Sequence, residues 1–229
     1  MYPENTLLSF ERASAVNGLE GIELDIQLTK DGRMIVIHDE RVDRTTNGSG
    51  YVKDYTLTAL KKLKIDAGEK PAQSIPTIEE VFDLLEGRLK EGMKLNIELK
   101  NSVYPYPGME EKIVELVHKR GFERAVVYST FYAKSLGRLR ELDSAAELGI
   151  LDLKASDCLY KLRGGCGAAV LHPYWQGMDL PADALKGYTV RAWFSGHLYP
   201  EKPTGAELDL LTLEKKGITD VFLNEPERY

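Results

Sequence analysis

Short apolar runs alternate with amphipathic stretches along almost the whole chain, and this alternation limits the fold more than any other feature. Gly21–Leu28 (GIELDIQL), Met34–His38, Lys94–Lys100, Arg124–Thr130, Ala146–Leu151, Ala168–Pro173, Tyr188–Phe194 and Asp220–Asn224 have the length and composition of strands. Helical spacing fills the intervals at Thr6–Asn17, Thr77–Glu91, Met109–Arg120, Ala133–Leu142, Ala155–Leu162 and Gly205–Lys216. Pro76-Thr77 followed by Glu79-Glu80 opens one of these helices, and Gly92, Gly121 and Gly217 follow helix ends. Consecutive parallel strands need a crossover long enough to hold a helix, so the pattern predicts a parallel α/β sheet. A single domain over 1–229 is expected, without linker or repeat.

One connection is too short for a crossover. Thr29-Lys30-Asp31-Gly32 joins two strand-like runs, and Asp-Gly is a hairpin signal, so Met34–His38 should run antiparallel beside Gly21–Leu28. The segment that follows, 39–74, is long, polar and rich in Gly and Thr. A short helix is expected within it at Thr58–Lys64, and an excursion of this kind inside an α/β domain is commonly a functional insertion or lid. Without the hairpin strand, seven parallel strands remain, one short of a (β/α)8 barrel. The chain opens on Pro3 and a helix with no strand before it.

Charge and composition exclude several classes. With 30 Lys+Arg against 36 Asp+Glu the net charge is −6, which leaves no basic excess for general binding to nucleic acid or anionic membranes. No apolar run approaches the roughly 18–20 residues that span a bilayer, so no integral membrane segment is expected. Two cysteines, Cys158 and Cys166, are too few for a disulfide scaffold and lack metal-finger spacing; they read as unpaired thiols. The oligomeric state is not legible.

The chemistry lies on two strands. Alternate side chains share a face, so Glu23 and Asp25 stand opposite Ile22, Leu24 and Ile26, while Asn96, Glu98 and Lys100 stand opposite Leu95, Ile97 and Leu99. Carboxylates facing a sheet interior are costly unless paired or ligated. Three of them converging would repel one another unless a cation sat among them, and an all-oxygen donor set selects a hard ion, Mg²⁺ or Ca²⁺. His38, at the end of the hairpin strand and followed by Asp39, is the candidate general acid or base at the rim of that cluster. His172 and His197 also end strand-like runs but have no carboxylates near them in sequence and read as structural; His118 falls on a helix surface.

Several segments together resemble one family. P-E-N-T-x-x-S-F at Pro3–Phe10, G-x-E-L-D-x-x-x-T-x-D-G at Gly21–Gly32, V-I-H-D at Val36–Asp39 and R-T-T-N-G-S-G at Arg44–Gly50 look like glycerophosphodiester phosphodiesterase. I-P-T-I-E-E at Ile75–Glu80, N-I-E-L-K at Asn96–Lys100 and Y-S-T-F at Tyr128–Phe131 agree with it, and the C-terminal third is looser.

The resemblance implies a TIM barrel bearing a small insertion, and a divalent metal held at Glu23, Asp25 and Glu98. It implies hydrolysis of a small-molecule glycerophosphodiester to glycerol 3-phosphate and an alcohol. His38 matches the second of two acid–base histidines, Lys100 the phosphate-facing lysine, and Trp193 lies near an aromatic that walls the glycerol side. The family's first histidine belongs to an H-R-G motif on a first barrel strand upstream of P-E-N-T. That segment has no counterpart after Met1, so the expectation is either a longer native protein or a natural variant, with the 229-residue chain itself impaired. The alternatives to a complete enzyme are a non-catalytic relative that binds the diester or a metal, and a lipid phosphodiesterase on the same scaffold. The second lacks an evident apolar membrane-facing loop. The cytoplasm is the expected compartment, with a secretory leader left open by the abrupt start.

Overall fold

The computed structural model describes residues 2–194 and 209–228. Its tertiary contacts fall into two compact units, residues 1–128 and 129–229. The first holds α1 (Leu7–Ser14), β1 (Gly21–Leu28), β2 (Met34–Val36), α2 (Leu57–Leu60), α3 (Ile78–Lys90), β3 (Lys94–Leu99) and α4 (Met109–Arg120). The chain passes along β4 (Val126–Thr130) into the second, with α5 (Ala133–Leu142), β5 (Glu147–Asp152), α6 (Ala155–Arg163), β6 (Val170–Pro173), α7 (Ala182–Leu185), β7 (Thr189–Ala192), α8 (Leu210–Lys215) and β8 (Asp220–Val221).

Within the first unit, β1 is the hub. It pairs in parallel with β3, setting Glu23 opposite Asn96 and Asp25 opposite Glu98. On its other edge it pairs antiparallel with β2, Gln27 opposite Ile35. The hairpin is the one the sequence predicts. Gly32 adopts φ +71, a left-handed conformation that side chains disfavour, and its N–H donates to the Thr29 carbonyl at 2.9 Å. The apolar face of α3 repeats at Ile78, Val81, Phe82, Leu85 and Leu89, all buried, and burying each is worth about 1.5–3 kcal/mol. A reciprocal cap between Thr77 and Glu80 starts that helix where the sequence places its start. Phe82 meets Phe122 edge to face with ring centres 5.2 Å apart.

The insertion after β2 has its own core, with Val42, Val52, Leu60 and Ile65 packed on Ile35, Ile37 and Ile75. Its short helix occupies Leu57–Leu60, earlier than Thr58–Lys64, because Thr56 caps it by accepting from the Ala59 N–H. Strand β2 ends at Val36, so His38 sits two residues past the strand and not at its end.

In the second unit β5, β6, β7 and β8 pair in chain order, all parallel, with Leu151 opposite His172 and Ala192 opposite Val221. The strands are shorter than their apolar runs, since Ala168, Ala169, Tyr188, Trp193 and Phe194 lie outside β6 and β7, although Trp193 still bridges Tyr174 in parallel. Helix α7 has too few residues to show a period in the sequence. The first four residues of the Gly205–Lys216 pattern, and His197, lie outside the described residues. No helix among those described is long and apolar enough to cross a membrane.

Candidate active site

Strand periodicity puts Glu23, Asp25 and Gln27 on one face of β1, and parallel register brings Glu98 beside Asp25. One carboxylate oxygen from each of Glu23, Asp25 and Glu98 lies within 4.8 Å of the other two. Lys100, just past β3 on the same side as Glu98, places Nζ 2.8 Å from Glu98 Oε1 and 3.8 Å from Asp25 Oδ1. The same Nζ lies 3.2 Å from His38 Nε2. The predicted residues Glu23, Asp25, Glu98, Lys100 and His38 thus meet in one cluster.

Electrostatics follow from crowding. Burial, then repulsion from Asp25 and Glu98, raises the Glu23 carboxyl well above the ordinary glutamate value, with Lys100 opposing. Burial also raises Glu98, against the pull of Lys100. For Lys100 itself burial favours the neutral amine, but the charges of Glu98 and Asp25 outweigh it and hold the ammonium well above the usual lysine range. Asp25 Oδ1 is buried and has no hydrogen-bond partner among the described residues. A lone pair left bare beside two further carboxylates is what a hard cation would satisfy. The donor set fits Mg²⁺ or Ca²⁺ and does not suit a soft metal.

His38 is held by its neighbour. Nδ1 lies 2.8 Å from Asp39 Oδ1, which can only accept, so Nδ1 carries the proton and Nε2 is left to face Lys100. Burial lowers the imidazole's affinity for a proton, but the Asp39 bond and the charge of Asp25 exceed that effect and leave its pKa above the ordinary histidine value. Asp39 lies far below the usual carboxylate range: burial would raise it, and bonds from His38 and Arg44 overcome that.

Six further residues serve this cluster and were not singled out from the sequence. Asn5, in a left-handed conformation at φ 52, donates Nδ2 to Asp25 Oδ2 at 2.8 Å. Glu4 and Asp39 both grip Arg44. Gln27 is fully buried, and its Nε2 faces the carbonyls of Ile37, His38 and Asp39 at 3.1, 3.1 and 2.6 Å. Its Oε1 accepts from the Tyr106 hydroxyl at 2.9 Å. Tyr106 takes φ 40, sparsely populated for a residue with a side chain. The amide has only two hydrogens for three carbonyls, and reversing it would set oxygen against oxygen. The loop that carries His38 is therefore bracketed from below. Glu4, Asn5, Asp39 and Arg44 stand inside the quoted motifs, and Gln27 shares a strand face with Asp25, so these signals were present; Tyr106 had none.

Trp193 belongs to the second unit. Its indole N–H donates to the His172 carbonyl at 3.1 Å, and its ring lies 4.8 Å from Tyr174 and 6.0 Å from Phe131. His172 is fully buried, and neither ring nitrogen has a partner among the described residues. Burial lowers its pKa to about 3, so the ring is neutral. Gly149 makes room for it, since a Cβ there would lie 2.5 Å from the ring. Cys158 and Cys166 are both buried free thiols, as expected.

The sequence matches the glycerophosphoryl diester phosphodiesterase family over residues 1–157. The chain belongs to this family. A glycerophosphodiester phosphodiesterase of Caldanaerobacter subterraneus is 47% identical over 242 residues, covering 98% of this chain and 90% of the relative. One from Bacillus altitudinis is 46% identical over 155 residues, covering 66% of this chain and 62% of the relative. Among solved structures, a phosphodiesterase from Oleispira antarctica in complex with the product sn-glycerol-3-phosphate matches with a TM-score of 0.76 at 25% identity, over 99% of this chain and 90% of that one. A protein from Silicibacter pomeroyi matches at a TM-score of 0.78 and 19% identity, over 100% of this chain and 87% of that one, and shows the fold alone. The strand and helix order with these likenesses fixes an α/β fold of the TIM type carrying a hairpin and an insertion. The protein is an enzyme of the phosphoric diester hydrolase class.

Proposed function

We propose that the cluster of Glu23, Asp25, Glu98, Lys100 and His38 hydrolyses a glycerophosphodiester to glycerol 3-phosphate and an alcohol, with a divalent cation at the three carboxylates. The observation that carries this reading is the convergence itself: three carboxylate oxygens within 4.8 Å, with a lysine ammonium and an imidazole Nε2 in contact at their edge. A bound Mg²⁺ or Ca²⁺ supplies positive charge against the phosphate oxygens as charge builds on them. The chain's own groups do the rest. Lys100 presents its ammonium to the same phosphate, which draws it away from Glu98 and His38. His38, doubly protonated, keeps its Nδ1–H on Asp39 and gives its Nε2 proton to the departing alkoxide, a poor leaving group without it. Water supplies the oxygen that replaces the alkoxide on phosphorus, and the ring ends in the Nδ1–H form. The Asp39 bond and the charge of Asp25 favour the doubly protonated form. The product bound in the Oleispira antarctica relative supports a small-molecule substrate of this class.

Two measurements test the reading. Release of glycerol 3-phosphate from glycerophosphocholine or glycerophosphoethanolamine is expected in the presence of Mg²⁺ or Ca²⁺, in the 229-residue chain or in one extended upstream by an H-R-G segment. Activity only in the extended form assigns a second acid–base group to that segment. By calorimetry, Glu98→Gln should weaken binding of the activating cation by at least about an order of magnitude, since it removes one of three charged oxygen ligands. Unchanged affinity for both ions removes the metal site.

A further inference from the structure

Arg44 uses four of its five N–H groups on two carboxylates. Nη1 and Nη2 donate to Glu4 Oε2 and Oε1 at 2.8 and 2.7 Å, while Nε and Nη2 donate to Asp39 Oδ2 and Oδ1 at 2.7 and 3.0 Å. Asp39 Oδ1 also accepts the hydrogen bond from His38 Nδ1–H, at 2.8 Å. Glu4 precedes Asn5, whose amide holds Asp25. One guanidinium, contributed by the insertion, therefore joins the segment supporting the metal-site carboxylates to the carboxylate that orients the imidazole. The side chains of Arg44, Glu4 and Asp39 are each a quarter to a third exposed, and ion pairs with that much solvent contribute little to stability. What a two-point fork adds is orientation. It fixes the plane of the Asp39 carboxylate, which a single hydrogen bond from His38 leaves free to turn.

We propose that Arg44 is a positioning residue that acts through Asp39: by holding the Asp39 carboxylate in plane it keeps His38 in the Nδ1–H form with Nε2 turned to Lys100 and the substrate. The inference rests on the acid–base reading of His38 given above. It gives the R-T-T-N-G-S-G segment of the insertion a task in proton transfer and not in substrate contact. A lysine at position 44 would retain the charge and lose the fork.

The test is a double-mutant cycle, read on kcat and KM, together with ¹⁵N-histidine NMR of the full chain. Arg44→Lys is expected to lower kcat about 10- to 100-fold, in the range for residues that orient a functional histidine, with KM moving by no more than about twofold. Asp39→Asn should cost at least as much, and the double variant should lose no more than Asp39→Asn alone. In the spectrum, the His38 Nδ1–H form of the wild type should give way to a mixture of tautomers in Arg44→Lys. Glu4→Gln, with unfolding midpoints for every variant, separates this from a loss of fold, since it breaks the other fork and leaves the one on Asp39. Additive losses in the cycle, or a His38 tautomer unchanged in Arg44→Lys, overturn the proposal. The spectrum decides it even where turnover is slow. Full activity in His38→Ala would refute the acid–base reading instead, while leaving the link from Arg44 to the tautomer intact.

Discussion

The two compact units give a histidine opposite surroundings. In residues 1–128 His38 belongs to a connected set of titratable groups: Glu98 and Asp25 face Lys100, Lys100 faces His38, His38 binds Asp39, and Asp39 binds Arg44. In residues 129–229 the fully buried His172 stands alone, its ring against Phe222 at 5.3 Å and both nitrogens without partners among the described residues. Aromatic pairs recur elsewhere in this unit, with Trp193 on Tyr174 and Trp175 stacked on Phe194 at 5.2 Å. The same burial that raises Lys100's need for an anion leaves His172 neutral, because an imidazole can give up its charge at little cost and a lysine cannot. Strand periodicity decides only that a polar side chain points inward. Its neighbours decide whether it becomes a charged reagent or a neutral packing element.

The sharpest way to break this contrast is to remove one histidine from each unit. His38→Ala should lower kcat by about 10²–10⁴ with the unfolding midpoint nearly unchanged, whereas His172→Phe should leave kcat close to wild type. A stability loss that accounts for all the activity lost in His38→Ala would make His38 structural after all. Next in size is Lys100→Met, expected to lower the rate about 10²–10³-fold, as for a lost donor to a developing negative charge. Cation affinity should not weaken in that variant, because the ammonium competes for the same carboxylates. Unaltered kinetics would mean that Lys100 serves only to neutralise Glu98.

A contrast read on stability and not on rate is the pH dependence of unfolding. His172 has a native pKa of about 3, below the ordinary histidine value. As pH falls below about 6.5 the unfolded chain takes up a proton that the folded chain refuses. Stability should then drop by roughly 1.4 kcal/mol per pH unit until about pH 3, and the contribution vanishes above neutrality. His172→Phe keeps a ring against Phe222 and removes the titration, so its urea midpoints at pH 7 and pH 4 should differ less than those of the wild type. Equal differences in the two proteins would show that His172 finds a partner or is hydrated.

Much of the site was legible because it depends on short-range rules. Alternation along Gly21–Leu28 and Lys94–Lys100 sorted Glu23, Asp25, Glu98 and Lys100 onto polar faces, and β1 and β3 keep that sorting in exact parallel register. The Asp31-Gly32 turn and the Thr77–Glu80 cap likewise needed only neighbouring residues. Gln27 could have been found by the same parity, but an uncharged amide on a strand carries no signal of its own. Tyr106 lies 79 residues from the amide it serves, and nothing local marks it.

Local patterning alone sets the alternation of strands and helices, the hairpin, and the carboxylates that share a face, since each follows from a period or a turn within a few residues. That His38 leaves its strand, that Arg44 reaches both Glu4 and Asp39, and that Asn5 holds Asp25 while Gln27 holds the His38 loop depended on tertiary packing. Those contacts join residues 5 to 40 positions apart. The reach of Arg44 in particular follows from how the insertion folds on its own small core, a matter of packing that no local pattern encodes.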